Sequence, residues 1–351
     1  MRETNQHTGQ TDTRRKDNTH GNARFSWTSL GLSHSVVALS VARMSDALGN
    51  SILIIIIPLY VAKLPSQWLN FQTPVLIGIL ISVYGFINFG VQPLMGALSD
   101  RIGRRKLLIQ IGLGLMCLAT AGYIIAARYV DLLVLRIVQG IGIGITVPAA
   151  MALMAGFTER STRGGSMGFY TTLRMLGFTI GPLLGGFLLV HFGFDVVFII
   201  GAGFLLLAIT LIHLWVKDLP VEKDPSRKSR FRIVDRSLLT PGILTAALST
   251  FVMANAFALI TSLENEFNSK LGLNAFGFAF AFSTMMFGRL LFQVPLGRLS
   301  DRIGRKPLIL AGLLLMVPAT AFLGRSATDL EFILLRAGQG IAAAAIAAPA
   351  F

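Results

Sequence analysis

Six charged side chains interrupt long apolar runs: Arg43, Asp46, Arg136, Arg174, Arg289 and Arg336. Inside a membrane helix each costs about 3 kcal/mol near the bilayer centre, so each must face a partner or a water-filled cavity. Asp46 is the only acid well inside an apolar run in the first half of the chain. It follows Arg43 by three residues, which places both on one helix face. Burial disfavours a charged carboxylate and a neighbouring guanidinium favours it. Competition between those two effects is what reversible proton uptake requires. Asp46 is therefore the candidate proton carrier with Arg43 beside it; a structural ion pair is the competing reading. Arg136, read from its position alone, is a buried donor to backbone carbonyls. Arg174 stands three residues before Gly177, on its face, and either looks into a cavity or snorkels to the headgroups. Gln139 and Asn255 are further candidates for the cavity lining. Arg289 is expected to snorkel, and Glu264 and Glu266 read as a solvated helix end or, alternatively, as lining of an outer vestibule or cation path.

The elements that must hold these groups are membrane helices. The chain is 53% hydrophobic and 14% charged, with 36 glycines among 351 residues. A soluble chain carries about a quarter charged residues. A membrane helix needs about 20 apolar residues, and ten candidates follow: 34–62, 74–98, 106–127, 129–157, 165–190, 193–216, 241–263, 272–296, 307–324 and 329–351. Residues 1–33 are polar without an apolar core, and read as a disordered cytosolic tail rather than a signal peptide. The charged segment 217–240 separates six helices from four and reads as a cytosolic linker. If the N-terminus is cytosolic and the helices alternate, inner segments carry 22 of the 31 Lys and Arg and outer loops carry four, Lys63, Arg128, Lys270 and Arg325. That imbalance places the N-terminus inside. Trp27, Trp68 and Trp215 fall near helix ends, where indole suits the headgroup layer.

The net charge of +14 does not imply nucleic-acid binding, because the basic residues lie in short loops rather than one stripe. Cys117 is the only cysteine. No His, Asp and Glu cluster has metal-ligand spacing, so no metal or cofactor is expected. The stretch Gly140 to Gly144 follows no strand and there is no Walker lysine, so neither nucleotide binding nor ATP hydrolysis is read from it. No catalytic constellation appears, and the chain is not expected to be an enzyme.

Two strings recur about two hundred residues apart. Gly96, Asp100, Arg101, Gly103, Arg104, Arg105 and Lys106 return as Gly297, Asp301, Arg302, Gly304, Arg305 and Lys306. Arg136, Gln139 and Gly140 return as Arg336, Gln339 and Gly340. Each copy of the first string reads as a charged turn between two membrane helices, where glycine permits a tight bend and Asp can pair with Arg or cap a helix start. Such charges either latch one bundle to the other or fix topology alone. A third pattern is Gly168, Gly177, Gly181, Pro182, Gly185 and Gly186. Gly177, Gly181 and Gly185 recur every four residues and form one smooth face; Pro182 favours a kink. Spacing alone leaves ordinary tight packing and a bundle-interface hinge equally open.

These strings resemble the signatures of the major facilitator superfamily: the cytosolic turn between helices 2 and 3 with its weaker copy between helices 8 and 9, the helix-4 arginine motif, and the helix-5 motif of the drug:proton antiporters. The resemblance implies an all-α polytopic membrane protein of two six-helix bundles, residues 34–216 and 241–351, with the second represented by four helices, as in a fragment of a twelve-helix protein. It implies gating by the turns, a bundle-interface hinge in helix 5, and proton coupling through Arg136. The expected activity is proton-coupled export of small molecules, drugs or metabolites, by alternating access. Its partners would be a small-molecule substrate, protons and the lipid of a cell (inner or plasma) membrane, with the chain acting as a monomer. The alternatives are an uptake symporter for sugars or organic anions, or a non-transporting membrane sensor.

Overall fold

The structure, a computed structural model, describes residues 33–64, 71–159, 162–218 and 240–348. Eleven helices follow in order among these residues. They are α1 (His34–Val61), α2 (Thr73–Ile102), α3 (Arg105–Gly122), α4 (Tyr129–Phe157), α5 (Arg163–Phe192), α6 (Phe194–Trp215), α7 (Pro241–Ser262), α8 (Glu264–Leu271), α9 (Ala275–Ile303), α10 (Arg305–Ala321) and α11 (Asp329–Ala347). All but α8 are long and apolar enough to cross a membrane, α3 and α10 together with the short 3-10 turns that prolong them. Most of the tail and linker assigned from sequence, with Trp27, Trp68 and Arg160, lies outside the described residues. Trp215 ends α6, its ring 6.4 Å from that of His34.

Polar caps start several helices. The Ser33 hydroxyl accepts from the Val36 amide, Thr240 from Ile243 and Asn274 from Gly277, each satisfying an amide that the first helical turn leaves unpaired. Asp131 accepts the Ala127 and Arg128 amides at the start of α4, and Glu331 accepts Ala327 two hundred residues later at the start of α11. The duplication therefore extends to the caps.

The charged strings are mostly helix, not turn. α2 runs on to Ile102 and α3 begins at Arg105, so only Gly103 and Arg104 lie between them. Gly103 takes a left-handed conformation, φ 69°, and its amide closes the helix on Ser99 O. In the second copy Gly304 alone separates α9 from α10, at φ 94°. Reversal within one or two residues demands glycine.

Small residues bring the helices together. A Cβ at Gly142 of α4 would lie 2.6 Å from Gly112 O of α3, and one at Gly312 of α10 would lie 3.0 Å from Ala342 O of α11. α1 lies deepest among the first six helices, packed against α5 and α6. Phe86, Phe89, Leu118 and Ile125 remain exposed, as lipid-facing side chains would. Contacts between the first six helices and the rest are carried chiefly by α5 against α9.

Candidate functional site

A cavity of about 470 Å³ lies between α1, α2, α4 and α5 on one side and α7 and α9 on the other. Its polar lining includes Arg43, Asp46, Asn50, Tyr84, Arg136 and Arg174. Ile54, Ile81, Phe178, Phe257, Phe282 and Met286 supply part of the apolar wall. Three guanidinium groups therefore face one carboxylate. Apolar walls with a few convergent polar groups are the usual make-up of a small-molecule site.

Arg43 Nη1 donates to Asp46 Oδ2, and both residues are buried, at 8% and 2% exposure. Asp46 Oδ1 makes no hydrogen bond. One carboxylate oxygen is thus committed to the arginine and the other is left over within a residue that lines the cavity. Tyr84 accepts from the Asn50 amide at 3.4 Å and lies under the Arg136 guanidinium, 5.5 Å from ring centre to Cζ. Arg174 sits over Phe178 at 5.2 Å. Of the two readings of Arg174, the cavity is the one realised.

Two expected lining residues are elsewhere. Gln139 is fully buried within the first six helices and does not reach the cavity. Its Oε1 accepts from Arg136 Nη1 at 3.1 Å and from the Tyr123 hydroxyl at 2.9 Å, while Nε2 donates to Thr120 Oγ1 at 3.1 Å. An amide so occupied holds Arg136 in place rather than touching a ligand. Asn255 is exposed and donates to Phe251 O in its own helix at 2.9 Å.

The glycine pattern of α5 also needs correction. Its stripe was expected at the bundle interface, yet Gly177, Gly181 and Gly185 face α1. A Cβ at Gly177 would lie 2.6 Å from Ala47 Cβ and 2.7 Å from Met44 O; at Gly181 it would lie 3.0 Å from Leu48 O and against the Ser51 hydroxyl; at Gly185, 3.1 Å from Ile52 O. The Ser51 hydroxyl donates to Gly177 O at 3.1 Å. The stripe thus clasps the turn of α1 that carries Asp46. Only Gly186 reaches the other half, where a Cβ would lie 2.6 Å from Ala279 Cβ and 2.8 Å from Ala275 O. A Cβ at Gly168 would meet nothing within 4 Å, and α5 continues as helix through Pro182.

In the first charged string Asp100 lies 3.6 Å from Arg105, which donates to Ala152 O of α4 at 3.0 Å. Lys106 Nζ donates to His213 O of α6 at 2.7 Å. These contacts tie the string to its own half. The second string is exposed from Asp301 through Lys306. Arg289, expected to snorkel, is half-buried on α9 near Arg174, and its Nε makes no hydrogen bond. Glu266 is exposed as expected, but Glu264 is fully buried.

Duplicated membrane-spanning helices around an internal cavity are an arrangement found in membrane transporters. The chain matches the model of the Major Facilitator Superfamily over residues 39–269 and 244–351, and it belongs to that family. Among curated proteins it is similar to the multidrug resistance protein MdtG of Escherichia fergusonii, 29% identical over 247 residues, 68% of this chain and 60% of that protein. MdtG of Salmonella paratyphi B is 28% identical over 276 residues, 77% of this chain and 67% of that one. The chain thus spans about three fifths to two thirds of these relatives' length. Its fold is that of a bacterial homolog to the human lysosomal transporter Spinster, inward-facing and unoccupied, at TM-score 0.71 and 18% identity over 90% of this chain and 73% of that one. The human organic anion transporter MFSD10 (TETRAN) gives TM-score 0.64 at 19% identity, over 90% and 84%.

Proposed function

We propose that this chain exports small amphipathic molecules from the cell in exchange for protons. One observation carries the reading: a buried Arg43–Asp46 pair lines the cavity between the halves with one carboxylate oxygen uncommitted. The uncommitted Asp46 oxygen can hold either a proton or an N–H or O–H group of a ligand in the cavity, so substrate and proton compete for one carboxylate. The relatives named for multidrug resistance support export. The excess of Arg43, Arg136 and Arg174 over Asp46 favours substrates with a negative or neutral polar end. Direct contacts between halves gather at the end remote from the charged strings, where Gly186 meets Ala279 and the Asn265 amide donates to Pro58 O at 3.1 Å. With the N-terminus cytosolic in a cell membrane, this is the inward-facing arrangement of an alternating-access cycle. Residues 34–216 and 241–351 act as the rocking bundles, a single chain suffices, and an inward proton gains about 2.3 kcal/mol per 100 mV.

The test is flux in proteoliposomes under an imposed pH gradient. Substrate should move against the direction of the proton, and Asp46→Asn should abolish gradient-driven flux while counterflow at equal pH persists. Substrate moving with the proton would replace export by symport, and unchanged gradient-driven flux in Asp46→Asn would remove Asp46 from the mechanism.

A further inference from the structure

Outside the cavity, one more acid and one more arginine are withdrawn from water. Glu264 opens α8 and is fully buried, and neither of its carboxylate oxygens makes a hydrogen bond. Arg336 of α11 is also fully buried. Its Nη1 donates to Gln339 Oε1 at 3.1 Å and to Met285 Sδ at 3.5 Å, while Nε and Nη2 make no hydrogen bond. The two residues do not form an ion pair, in contrast with Arg43 and Asp46. An isolated carboxylate buried in apolar surroundings is too costly to persist charged; it takes up a proton instead.

The surroundings support the neutral acid. Ile260, four residues before Glu264, and Phe267, three after it, belong to an apolar cluster with Phe278, Phe282, Leu323 and Phe332. Asn265, its neighbour, is pinned to Pro58 of α1, so the segment is anchored at the contact between halves. Among the packed elements Arg336 is the charged group that acts on it. Glu266 and Lys270 of its own helix are exposed, and Lys270 donates to Gly324 O at 2.8 Å. α1 and α9 offer Ile55, Phe278 and Phe282. Burial pushes the Glu264 carboxyl well above the usual carboxylate range, against a smaller opposing pull from Arg336.

Arg336 can remain charged without the acid. Three rings hold its guanidinium: Phe278 at 5.5 Å, Phe332 at 5.7 Å and Phe282 at 5.9 Å. Such a cage stabilises a cation by its ring quadrupoles. The first half shows the same frame without the acid: Arg136 on Gln139 and Gln139 on Thr120, repeated as Arg336 on Gln339 and Gln339 on Thr320 at 2.8 Å. There the Tyr123 hydroxyl also donates to the glutamine, whereas the second half has Leu323. The repeated frame holds a cation in both halves, and in the second half that cation acts on the buried Glu264.

The geometry points to Glu264 as a second proton-binding site, occupied in this conformation and paired with Arg336 when empty. A proton from water bonds to one carboxylate oxygen and gives the neutral acid that burial without a hydrogen-bond partner favours. On the return the O–H bond breaks, the proton leaves to water, and the carboxylate turns to the two free N–H groups of Arg336. The contact at Asn265 and Pro58 links that step to the opening of the halves. This inference rests on the proton-coupled reading for its purpose but not for its test.

Infrared difference spectroscopy on the protein reconstituted in lipid reads the carboxyl directly. Near neutral pH a protonated-carboxyl stretch should be present in the wild type and in Asp46→Asn, and lost in the near-isosteric Glu264→Gln. Arg336→Met should move its titration to higher pH, because the charge favouring the carboxylate is gone. In vesicles, Glu264→Gln should lose gradient-driven flux and keep equal-pH exchange. A stretch unchanged by Glu264→Gln overturns the assignment. If the wild type shows no gradient-driven flux at all, the proposed transport cycle fails by itself, and the infrared result still decides the site.

Discussion

Gly186→Ala places a methyl group where the two halves touch. That methyl would lie 2.6 Å from Ala279 Cβ, 2.8 Å from Ala275 O and 3.0 Å from Phe276 Cα. Carbon atoms in contact prefer about 3.5–4.0 Å, so the helices must separate by about 1 Å. Two of the three obstacles are backbone atoms of α9 and cannot yield by changing rotamer. Inserting a methylene-sized group into a filled contact costs about 1–3 kcal/mol. At about 1.4 kcal/mol per tenfold, the arrangement with α5 on α9 becomes about 5-fold to 150-fold less populated relative to one in which they part. Two conformers separated by a few kcal/mol exchange dominance under such a load. The assay is a nitroxide distance across this contact. Cys117 is the only native cysteine, so Cys117→Ser gives the background, and Lys63→Cys with Ser269→Cys labels an exposed position in each half at this end. Gly186→Ala should add or enlarge a long-distance population, whereas Gly168→Ala, whose methyl meets nothing within 4 Å, should match the parent. Identical distributions in Gly186→Ala and the parent would refute the wedge, as would an equal shift from Gly168→Ala.

Gln139→Leu removes the acceptor shared by Arg136 and Tyr123 and the donor to Thr120. Each buried group left unpaired costs about 1–3 kcal/mol, so thermal unfolding in detergent should begin at clearly lower temperature, with gradient-driven flux reduced because Arg136 loses its hold. A second expectation concerns pH. The folded-state carboxyl of Glu264 lies above its unfolded value, so the native state binds more protons. Its contribution is full below the unfolded value of about 4.3 and is lost as pH rises toward the native one. Stability against denaturant should fall with a slope of up to about 1.4 kcal/mol per pH unit in that window. Glu264→Gln should flatten that component, and an unaltered slope would place the titration elsewhere.

Hydrophobic runs and charged breaks made the ten membrane helices legible, because a bilayer leaves a helix few alternatives. The i, i+3 spacing of Arg43 and Asp46 predicted their pairing for the same reason: within one helix, spacing is distance. What failed were readings that depend on which neighbour a helix face meets. The stripe of Gly177, Gly181 and Gly185 was readable as a face, but periodicity does not say which helix will lie against it, and α1 of the same half took the place of the opposite bundle. Gln139 looked like a cavity residue because it is polar and near Arg136; three partners on its own half claim it. Glu264 was read chiefly as a solvated helix end because the residues after Leu263, Glu264 to Lys270, are mostly polar. The chain makes a short helix there and turns one acid inward while Glu266 stays in water. A one-residue difference in facing is invisible to composition.

The repeat also shows which part of the chemistry is scaffold. Arg136, Gln139 and Thr120 match Arg336, Gln339 and Thr320 bond for bond. A frame retained in both halves while the surroundings differ cannot by itself decide what each arginine does. Arg136 lines the cavity beside Tyr84 and near Asp46, in reach of a ligand. Arg336 lies among phenylalanines with Glu264 as its ionisable neighbour. On the proposed reading the same guanidinium answers to substrate in one half and to a proton in the other. If that division holds, substituting Arg136 should change which molecules are carried. Substituting Arg336 should change the pH at which they are carried and leave their identity alone.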